Sequence, residues 1–207
     1  MTQEKKVKTY YRFHSKIYDA TRWLFLFNRE KAVEKLNLKP SDSAIDFACG
    51  TGLNLPLILE KTKNISALDF SDDMLNKAKS KFSEIMFVQG DACTYRFDKK
   101  AEKIICTYSL SLIENWREAI KNMSRNLNEN GILVILDFYM WNGLMKNFYP
   151  VFKWWLKIHH VNSEMPVEEE LKKYFENVEM KTFLSGYNFI AVASGIKKLR
   201  SPIYENE

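Results

Sequence analysis

A glycine-bearing turn that directly follows a short apolar run is the feature that most constrains the fold of this chain. Residues 44–55 read AIDFACGTGLNL, in which Gly50 and Gly52 flank a threonine. Glycine permits a left-handed backbone and the close approach of a ligand. In open parallel sheets, ligands bind beyond the carboxyl ends of the strands, and the turn after the first strand is the usual place. The turn therefore predicts a ligand site in an α/β fold.

Short β-rich runs alternate with helical patterns through the middle of the chain, as is typical of a parallel sheet with helices on its faces. The pattern predicts strands at residues 43–48, 65–70, 85–91, 103–109 and 131–138, and helices at 52–61, 71–82 and 114–127. Ser71 has the position and the chemistry of a helix N-cap. A short helix through Phe175 and two strands around Ser185 and Gly186 predict a terminal hairpin.

The chain has 207 residues, of which 46% are hydrophobic, and can bury the core of one domain. We predict a single domain over residues 1–207, with N-terminal cover helices at 1–40, a ligand-binding core at 41–137, an aromatic and basic insertion at 138–165 and a helix with a hairpin at 166–207. Three cysteines without paired spacing favour a cytoplasmic location, and no apolar run is long enough to span a bilayer.

The residues after the glycine turn argue against two common nucleotide sites. A phosphate-binding P-loop requires a lysine after its last glycine, and no lysine follows here. A dinucleotide fingerprint would place its third glycine at position 55, where Leu55 is too large for the close packing of helix on strand. The turn is therefore expected to hold a different ligand.

Three carboxylates follow or end three successive predicted strands. Asp46, Asp69 and Asp91 all lie at the edge of the sheet that carries the glycine turn. Asp69 is placed to accept hydrogen bonds from the hydroxyls of an adenosine ribose. Asp91, with the backbone amide of Ala92, is placed to read an adenine edge. Each aspartate alone is also consistent with a helix cap or a turn residue, but the three together favour an adenosyl ligand.

Four segments in this order, DFACGTG, ALDFSDDML, QGDA and KIICTYSLSLI, resemble the motifs of class I S-adenosylmethionine-dependent methyltransferases over roughly residues 42–137. The resemblance implies a Rossmann-like, seven-stranded and mostly parallel sheet in the order 3-2-1-4-5-7-6, with helices on both faces and an antiparallel seventh strand. It also implies S-adenosylmethionine as the cofactor, and no metal. Ala48 departs from the family, which has its first glycine at this position.

The resemblance also implies a set of cofactor-binding residues. They are Asp46, Gly50 and Gly52 at the methionine portion with Ala48 in the same turn, Asp69 at the ribose, Phe70 or Met74 at the adenine face, Asp91 and Ala92 at the adenine edge, and the Thr107 backbone at the methionine amino group.

The N-terminal segment YRFHSKIYDATRWLFLFNRE, with ACGTGLNL, resembles bacterial methyltransferases that trimethylate diacylglyceryl homoserine to make betaine lipids, and more distantly phosphatidylethanolamine N-methyltransferases. This resemblance implies a lipid amine as the acceptor. An attacking amine must be neutral, so Tyr10, His14 and Tyr18 are our candidates for assisting its deprotonation. An amphipathic helix that merely packs on the domain is equally consistent with this segment.

Two segments combine basic charge with aromatic residues. Residues 1–31 hold eight Lys or Arg against three acidic residues, and residues 138–160 hold three Lys and no acidic residue. We predict that both contact an anionic membrane surface, so that the protein associates peripherally with its inner face. In the second segment the predicted aromatic face consists of Trp141, Met145, Phe148, Phe152 and Trp155.

Other functions remain open at this point. An aromatic lid over a soluble apolar substrate, a methyltransferase for a small molecule or a quinone ring, and a membrane-binding protein without activity are all consistent with the pattern. Nucleic acid is not expected as a partner, because no Asn-Pro-Pro-Tyr-like motif for base amino groups follows the fourth predicted strand.

Overall fold

The structure, a computed structural model, describes residues 26–140, 147, 149–158 and 161–197. The strands are β1 Ala44–Phe47, β2 Ile65–Asp69, β3 Met86–Gln89, β4 Ala101–Thr107, β5 Leu127–Phe138, β6 Phe175–Phe183 and β7 Asn188–Ile196. The helices among these residues are α1 Arg29–Lys35, α2 Leu55–Leu59, α3 Asp72–Lys81, α4 Trp116–Arg125, α5 Tyr149–Ile158 and α6 Val167–Tyr174, with a 3-10 turn at Leu110–Leu112. The predicted cover helices before residue 26 lie outside the described residues.

The strands form one sheet in the order β3-β2-β1-β4-β5-β7-β6. The pairings among β1 to β5 are parallel, and β7 is antiparallel to both β5 and β6. The predicted order and the predicted hairpin are confirmed. The chain moves outward from β1 to β3 and then returns to place β4 beside β1, so the direction of winding reverses between these two strands. Such a reversal opens a crevice at the carboxyl ends of the strands, where ligands bind.

Apolar side chains of the central strands alternate between the two faces of the sheet. In β4, Ile104 and Cys106 join one hydrophobic cluster and Ile105 joins the other. Helices α4 and α6 cover the first face, and α1, α2, α3 and α5 contribute buried side chains to the second. Both faces are therefore covered, as predicted, and only the ends of the strands are left to carry a site.

Two predicted boundaries differ from the structure by three or four residues. The helix expected from residue 52 begins at Leu55, because Gly52 has a φ of 83° and cannot join a right-handed helix. The strand expected from residue 131 begins at Leu127, which pairs with Ala101. The Ala101 N–H donates to the Asn126 carbonyl at 2.9 Å. Residues 126 and 127 therefore pair with β4, and α4 ends before them.

Helix α5 has apolar residues on two faces. Leu156 is buried, and the Phe152 ring lies 5.3 Å from the Tyr187 ring. Phe152 was predicted on the aromatic face that meets the membrane, and this is wrong because its ring packs inward against Tyr187, directly before β7. The large apolar residues exposed on this helix are instead Val151 (68%), Trp154 (63%) and Ile158 (50%).

The side chains of Trp141, Met145, Phe148 and Trp155, predicted for the same aromatic face, lie outside the described residues. In the part of the chain that the structure describes, no helix is both long enough and apolar enough to cross a membrane.

Candidate functional site

The turn after β1 runs through left-handed conformations. Ala48, Gly50 and Gly52 have φ angles of 56°, 57° and 83°. A Cβ on Gly52 would lie 2.8 Å from Leu55 Cδ1, so this glycine lets α2 pack closely on the turn. A Cβ on Gly50 would have no atom of the described residues within 4 Å, so this side of the turn faces open space. A ligand can therefore lie directly against the backbone at Gly50.

Asp69 ties the glycine turn to the end of β2. Its Oδ2 accepts the Gly50 N–H at 2.7 Å, and its Oδ1 accepts the Ser71 N–H at 2.8 Å. Burial raises the pKa of Asp69, while the backbone N–H groups of Ser71, Gly50 and Phe70 oppose that rise. A carboxylate oxygen can accept more than one hydrogen bond. Asp69 therefore keeps the capacity to accept the ribose hydroxyls for which it was predicted.

Asp46, Asn54 and Thr107 form a buried polar cluster where β1 and β4 end. Asn54 Nδ2 lies 3.0 and 3.1 Å from the two carboxylate oxygens of Asp46 and 3.0 Å from Thr107 Oγ1. Burial raises the pKa of Asp46 to about 7, and the Asn54 hydrogen bond and the charge of Arg29 oppose the rise. This carboxyl group is therefore partly protonated near neutral pH, and a cation beside it would favour its charged form.

Arg29, in the first turn of α1, brings a cation to this cluster. Its Nη1 donates to Asn54 Oδ1 at 2.8 Å and also to Thr107 Oγ1. Its guanidinium carbon lies 5.4 Å from the centre of the Tyr108 ring. Neither Arg29 nor Asn54 was recognised as a site residue from the sequence, because Arg29 counted only as surface charge and Asn54 only as the tail of the glycine turn. A guanidinium and a titrating carboxyl group thus meet where the methionine portion was predicted.

The Thr107 carbonyl, predicted for the methionine amino group, lies beside the same turn. Ser109 Oγ is 3.0 Å from Thr107 O and 3.1 Å from Ala48 O, and so bridges the end of β4 to the turn. A hydroxyl has one proton to donate, so at least one of these two carbonyl oxygens keeps acceptor capacity.

The two side chains predicted for the adenine face differ in exposure. Phe70 is 43% exposed directly after Asp69, whereas Met74 is buried. Ser71 Oγ accepts the Met74 N–H at 3.4 Å, which confirms Ser71 as the N-cap of α3 and turns Met74 toward the core. Phe70 is therefore the one of the two that a ligand can reach without a rearrangement.

The loop after β3 brings Asp91 and Ala92 to the same edge of the sheet. The Gly90 N–H donates to the Asp69 carbonyl at 3.0 Å, which joins this loop to the end of β2. Asp91 Oδ1 accepts the Cys93 N–H at 2.8 Å, so the aspartate also folds the loop on itself. The sequence left open whether Asp91 shapes a turn or binds the ligand. It can do both, because one carboxylate oxygen can accept the turn hydrogen bond while the other accepts one from a ligand.

Aromatic rings gather where β4 and β5 end. The Tyr108 and Phe138 rings are 4.9 Å apart, Phe138 and Tyr187 are 5.6 Å apart, and Phe27 and Tyr187 are 6.0 Å apart. With Phe152, these residues are called the aromatic cluster below. The Tyr108 hydroxyl donates to the Phe27 carbonyl at 2.7 Å, and burial raises the pKa of Tyr108, so its ring stays neutral. The candidates for deprotonating the acceptor, Tyr10, His14 and Tyr18, lie outside the described residues.

Comparison with known proteins extends these observations. Residues 44–131 match the family described as "Methyltransferase domain". Demethylmenaquinone methyltransferase of Staphylococcus aureus (strain JH9) is 26% identical over 83% of this chain and 86% of that protein.

Two solved structures share the fold. Phosphoethanolamine N-methyltransferase 2 of Haemonchus contortus, in complex with phosphomonomethylethanolamine and S-adenosylhomocysteine, has a TM-score of 0.76 at 15% identity, covering 95% of this chain and 61% of that one. A possible histamine N-methyltransferase of Thermotoga maritima has a TM-score of 0.71 at 13% identity, covering 91% and 99%.

The strand order, the glycine turn and the domain match together define the class, which is that of the methyltransferases with a Rossmann-like fold. The chain is an S-adenosylmethionine-dependent methyltransferase, and the cofactor predicted from the sequence is confirmed. The residues present fit this cofactor. The open side of Gly50 leaves space for it, and Asp69 offers acceptor oxygens at the adjacent strand end.

Replacing Ala48 by glycine should stabilise the protein. A left-handed φ costs an L-residue about 1–2 kcal/mol, while the extra freedom of glycine in the unfolded chain offsets roughly 0.5–1 kcal/mol. We expect Ala48→Gly to raise the free energy of unfolding by about 0.5–1 kcal/mol, measured by urea denaturation. Ala78→Gly within α3 is the control and should lower it by about 1 kcal/mol. Destabilisation by both substitutions would contradict the strain at Ala48.

Replacing Asp46 by asparagine should change how stability depends on pH. Because the pKa of Asp46 is raised from 3.8 to about 7, the folded protein retains a proton that the unfolded chain loses. The contribution of Asp46 to stability therefore declines as pH rises from about 4 to about 7. We expect the stability of Asp46→Asn relative to wild type to increase across this window in urea denaturation. A flat or falling difference for Asp46→Asn would contradict the assignment.

Proposed function

We propose that this protein is an N-methyltransferase for the amino head group of a membrane lipid, and that it methylates diacylglyceryl homoserine in successive rounds to a trimethylated betaine lipid. The observation that carries the proposal is the position of α5. The inner side of this helix contacts the aromatic cluster at the site, and its outer side exposes large apolar residues. A helix placed in this way supports a reaction at a lipid surface.

The outer face of α5 has the composition of an interfacial helix. Val151, Trp154 and Ile158 recur at helical spacing and are mostly exposed. Tryptophan is favoured at membrane interfaces, where its ring meets acyl chains and its N–H meets the polar layer. Because a contiguous exposed apolar stripe is costly in water, this face supports contact with a bilayer.

The inner face of α5 links that contact to the site. The Phe152 ring packs on the Tyr187 ring, which packs on Phe138 at the end of β5. The Tyr139 N–H donates to the Tyr187 carbonyl at 3.1 Å, which fixes this residue to the sheet. An acceptor that leaves the bilayer beside α5 would therefore meet the aromatic cluster first.

Apolar contact carries more of this proposal than charge does. Lys153 Nζ lies 2.6 Å from a Glu164 carboxylate oxygen, and both side chains are exposed. This pair neutralises one of the lysines on which the predicted attraction to anionic lipid was based. The remaining attraction depends on residues 1–31 together with Lys146 and Lys157.

The aromatic cluster supports an amine as the acceptor. Ring faces attract cations, and the contact of Arg29 with Tyr108 is an example within the site itself. A methylated ammonium group could be held in the same way between successive rounds of transfer.

Methyl transfer from a sulfonium is an in-line displacement, so positioning is the main task of the protein. S-adenosylmethionine, when bound, supplies the methyl group on a sulfonium that leaves as a neutral thioether. Under this proposal, Asp46, residues 48–52 and the Thr107 carbonyl hold the methionine portion. Asp69 accepts the ribose hydroxyls, and the adenine lies between Phe70 and the loop after β3. Tyr10, His14 and Tyr18 remain the proposed acceptors for the proton of the amine.

A direct assay tests the acceptor. The purified full-length chain is incubated with methyl-labelled S-adenosylmethionine and vesicles that carry diacylglyceryl homoserine, phosphatidylethanolamine or demethylmenaquinone, and products are identified by mass spectrometry. We expect one, two and then three methyl groups on the homoserine lipid. The rate should rise with pH while the amine is being deprotonated. Asp69→Ala is the control and should abolish transfer. Transfer to neither amine lipid would contradict the proposal.

A second candidate is C-methylation of a quinone ring. It is favoured by the similarity to demethylmenaquinone methyltransferase, which spans 83% of this chain. The same assay separates the two reactions, because label on demethylmenaquinone alone identifies this candidate.

Replacing Trp154 by alanine tests the membrane contact. The exposed indole would be lost from the outer face of α5 without a change in the buried face. We expect the partition coefficient onto phosphatidylglycerol vesicles to fall about tenfold in co-sedimentation, with activity on a water-soluble short-chain substrate unchanged. Met86→Ala is the matched control, since Met86 is 54% exposed at the opposite end of the sheet strands. Equal binding by wild type and Trp154→Ala would contradict a lipid contact through α5.

A further inference from the structure

A buried asparagine on α4 holds the loop that is assigned to the adenine edge. Asn122 Nδ2 donates to the Ala92 carbonyl at 2.9 Å and to the Tyr95 carbonyl at 2.7 Å. Asn122 is 1% exposed, and its two amide protons are both used on this loop. The loop after β3 is thus attached to a helix on the face of the sheet, and does not depend on its own turn alone.

While the amide nitrogen of Asn122 holds the loop, its amide oxygen is left without a hydrogen bond among the described residues. Within the part of the chain that the structure describes, Asn122 Oδ1 is buried and has no hydrogen-bond partner. An unsatisfied buried acceptor is costly, so an apolar residue at this position would be favoured if packing were its only task. The two bonds to the loop are what the asparagine supplies in return.

Both peptide groups that flank the Ala92 Cα are held. The Asp91 carbonyl accepts the Thr94 N–H at 3.1 Å and the Tyr95 N–H at 2.9 Å, which orients the peptide that carries the Ala92 N–H. Asn122 holds the following peptide through the Ala92 carbonyl. With both planes fixed, the N–H of Ala92 and the carboxylate of Asp91 keep one mutual orientation.

We infer that Asn122 is a positioning residue that sets the selectivity of the site for adenine. This inference rests on the proposed assignment of Asp91 and Ala92 to the adenine edge. Adenine offers an amino donor beside a ring acceptor, which matches a carboxylate beside an N–H. Hypoxanthine offers the reverse, a carbonyl beside a ring N–H. Its carbonyl would face the Asp91 carboxylate, acceptor against acceptor, and its ring N–H would face the Ala92 N–H, donor against donor. Selectivity of this kind depends on fixed polar groups, because a mobile loop could adapt to either base.

Asn126 provides a matched control, one turn later on the chain. Its Nδ2 donates to the same Tyr95 carbonyl at 3.1 Å, and its Oδ1 accepts the Phe97 N–H at 2.9 Å. It is buried like Asn122 but holds the far end of the loop, and among the described residues it makes no hydrogen bond to Ala92. Its loss should therefore reduce stability without altering the adenine edge.

The experiment measures the dissociation constants of S-adenosylhomocysteine and S-inosylhomocysteine by calorimetry for the full-length protein. We expect wild type to favour the adenosyl compound by at least about 100-fold, and Asn122→Leu to reduce that ratio about tenfold. Asn126→Leu should keep the wild-type ratio within about twofold. A ratio is insensitive to the folded fraction, and Asn122→Ala serves as a second variant if Asn122→Leu folds poorly.

An unchanged ratio in the Asn122 variants, or an equal fall in Asn126→Leu, would overturn the inference. Failure of the underlying assignment has a different signature. If wild type binds S-adenosylhomocysteine but Asp91→Ala keeps the full preference for adenine, then the loop does not read the base, and both the assignment and the role of Asn122 are wrong.

Discussion

The site depends on the two hydrogen bonds that the Asp69 carboxylate accepts. One comes from Gly50 in the turn after β1 and the other from Ser71 at the start of α3. The carbonyl of the same residue accepts the Gly90 N–H, so a single residue connects the ends of three neighbouring strands. Parallel strands have no hairpins to align their ends, and the alignment must come from such contacts. The shape of the ligand-binding edge therefore follows from the placement of one aspartate.

The polar cluster buried at the ends of β1 and β4 is tolerated because Asp46, Asn54 and Thr107 hydrogen-bond to one another. Asn54 contacts both carboxylate oxygens of Asp46, and Arg29 adds a positive charge to the same cluster. Without these partners the desolvated carboxyl group would be strongly destabilising when ionised. One consequence concerns the N-terminal part of the chain. Because Arg29 belongs to α1, the stability of the strand ends and the position of that helix are coupled through one guanidinium.

The glycine turn and the carboxylates beside it could be predicted because their signals are local. Gly50 and Gly52 mark a turn. Asp69 ends one strand and Asp91 follows another, and the parallel arrangement of these strands brings both carboxylates to one edge of the sheet. The contributions of Arg29 and Asn122 could not be predicted in this way, because both act on residues far away in the sequence. Arg29 contacts Thr107, 78 positions away, and Asn122 contacts Ala92, 30 positions away. The inward position of Phe152 also escaped prediction. A helix with apolar residues on both faces does not reveal in its sequence which face meets the sheet.

Under the proposed function, most of the acceptor side of the site comes from a different part of the chain. Phe27, Phe152 and Tyr187 all lie outside residues 44–131, the range that matches the methyltransferase domain. Asp46, Asp69, Asp91 and Thr107 all lie inside it. Under the proposed function, the glycine turn and the strand-end carboxylates come from the matched domain, while the aromatic cluster, apart from Tyr108, comes from the flanking segments and from α5. Such a division would let a methyltransferase of this architecture change its acceptor through the flanking segments, provided that Arg29, which also lies outside the matched range, keeps its hydrogen bond to Asn54.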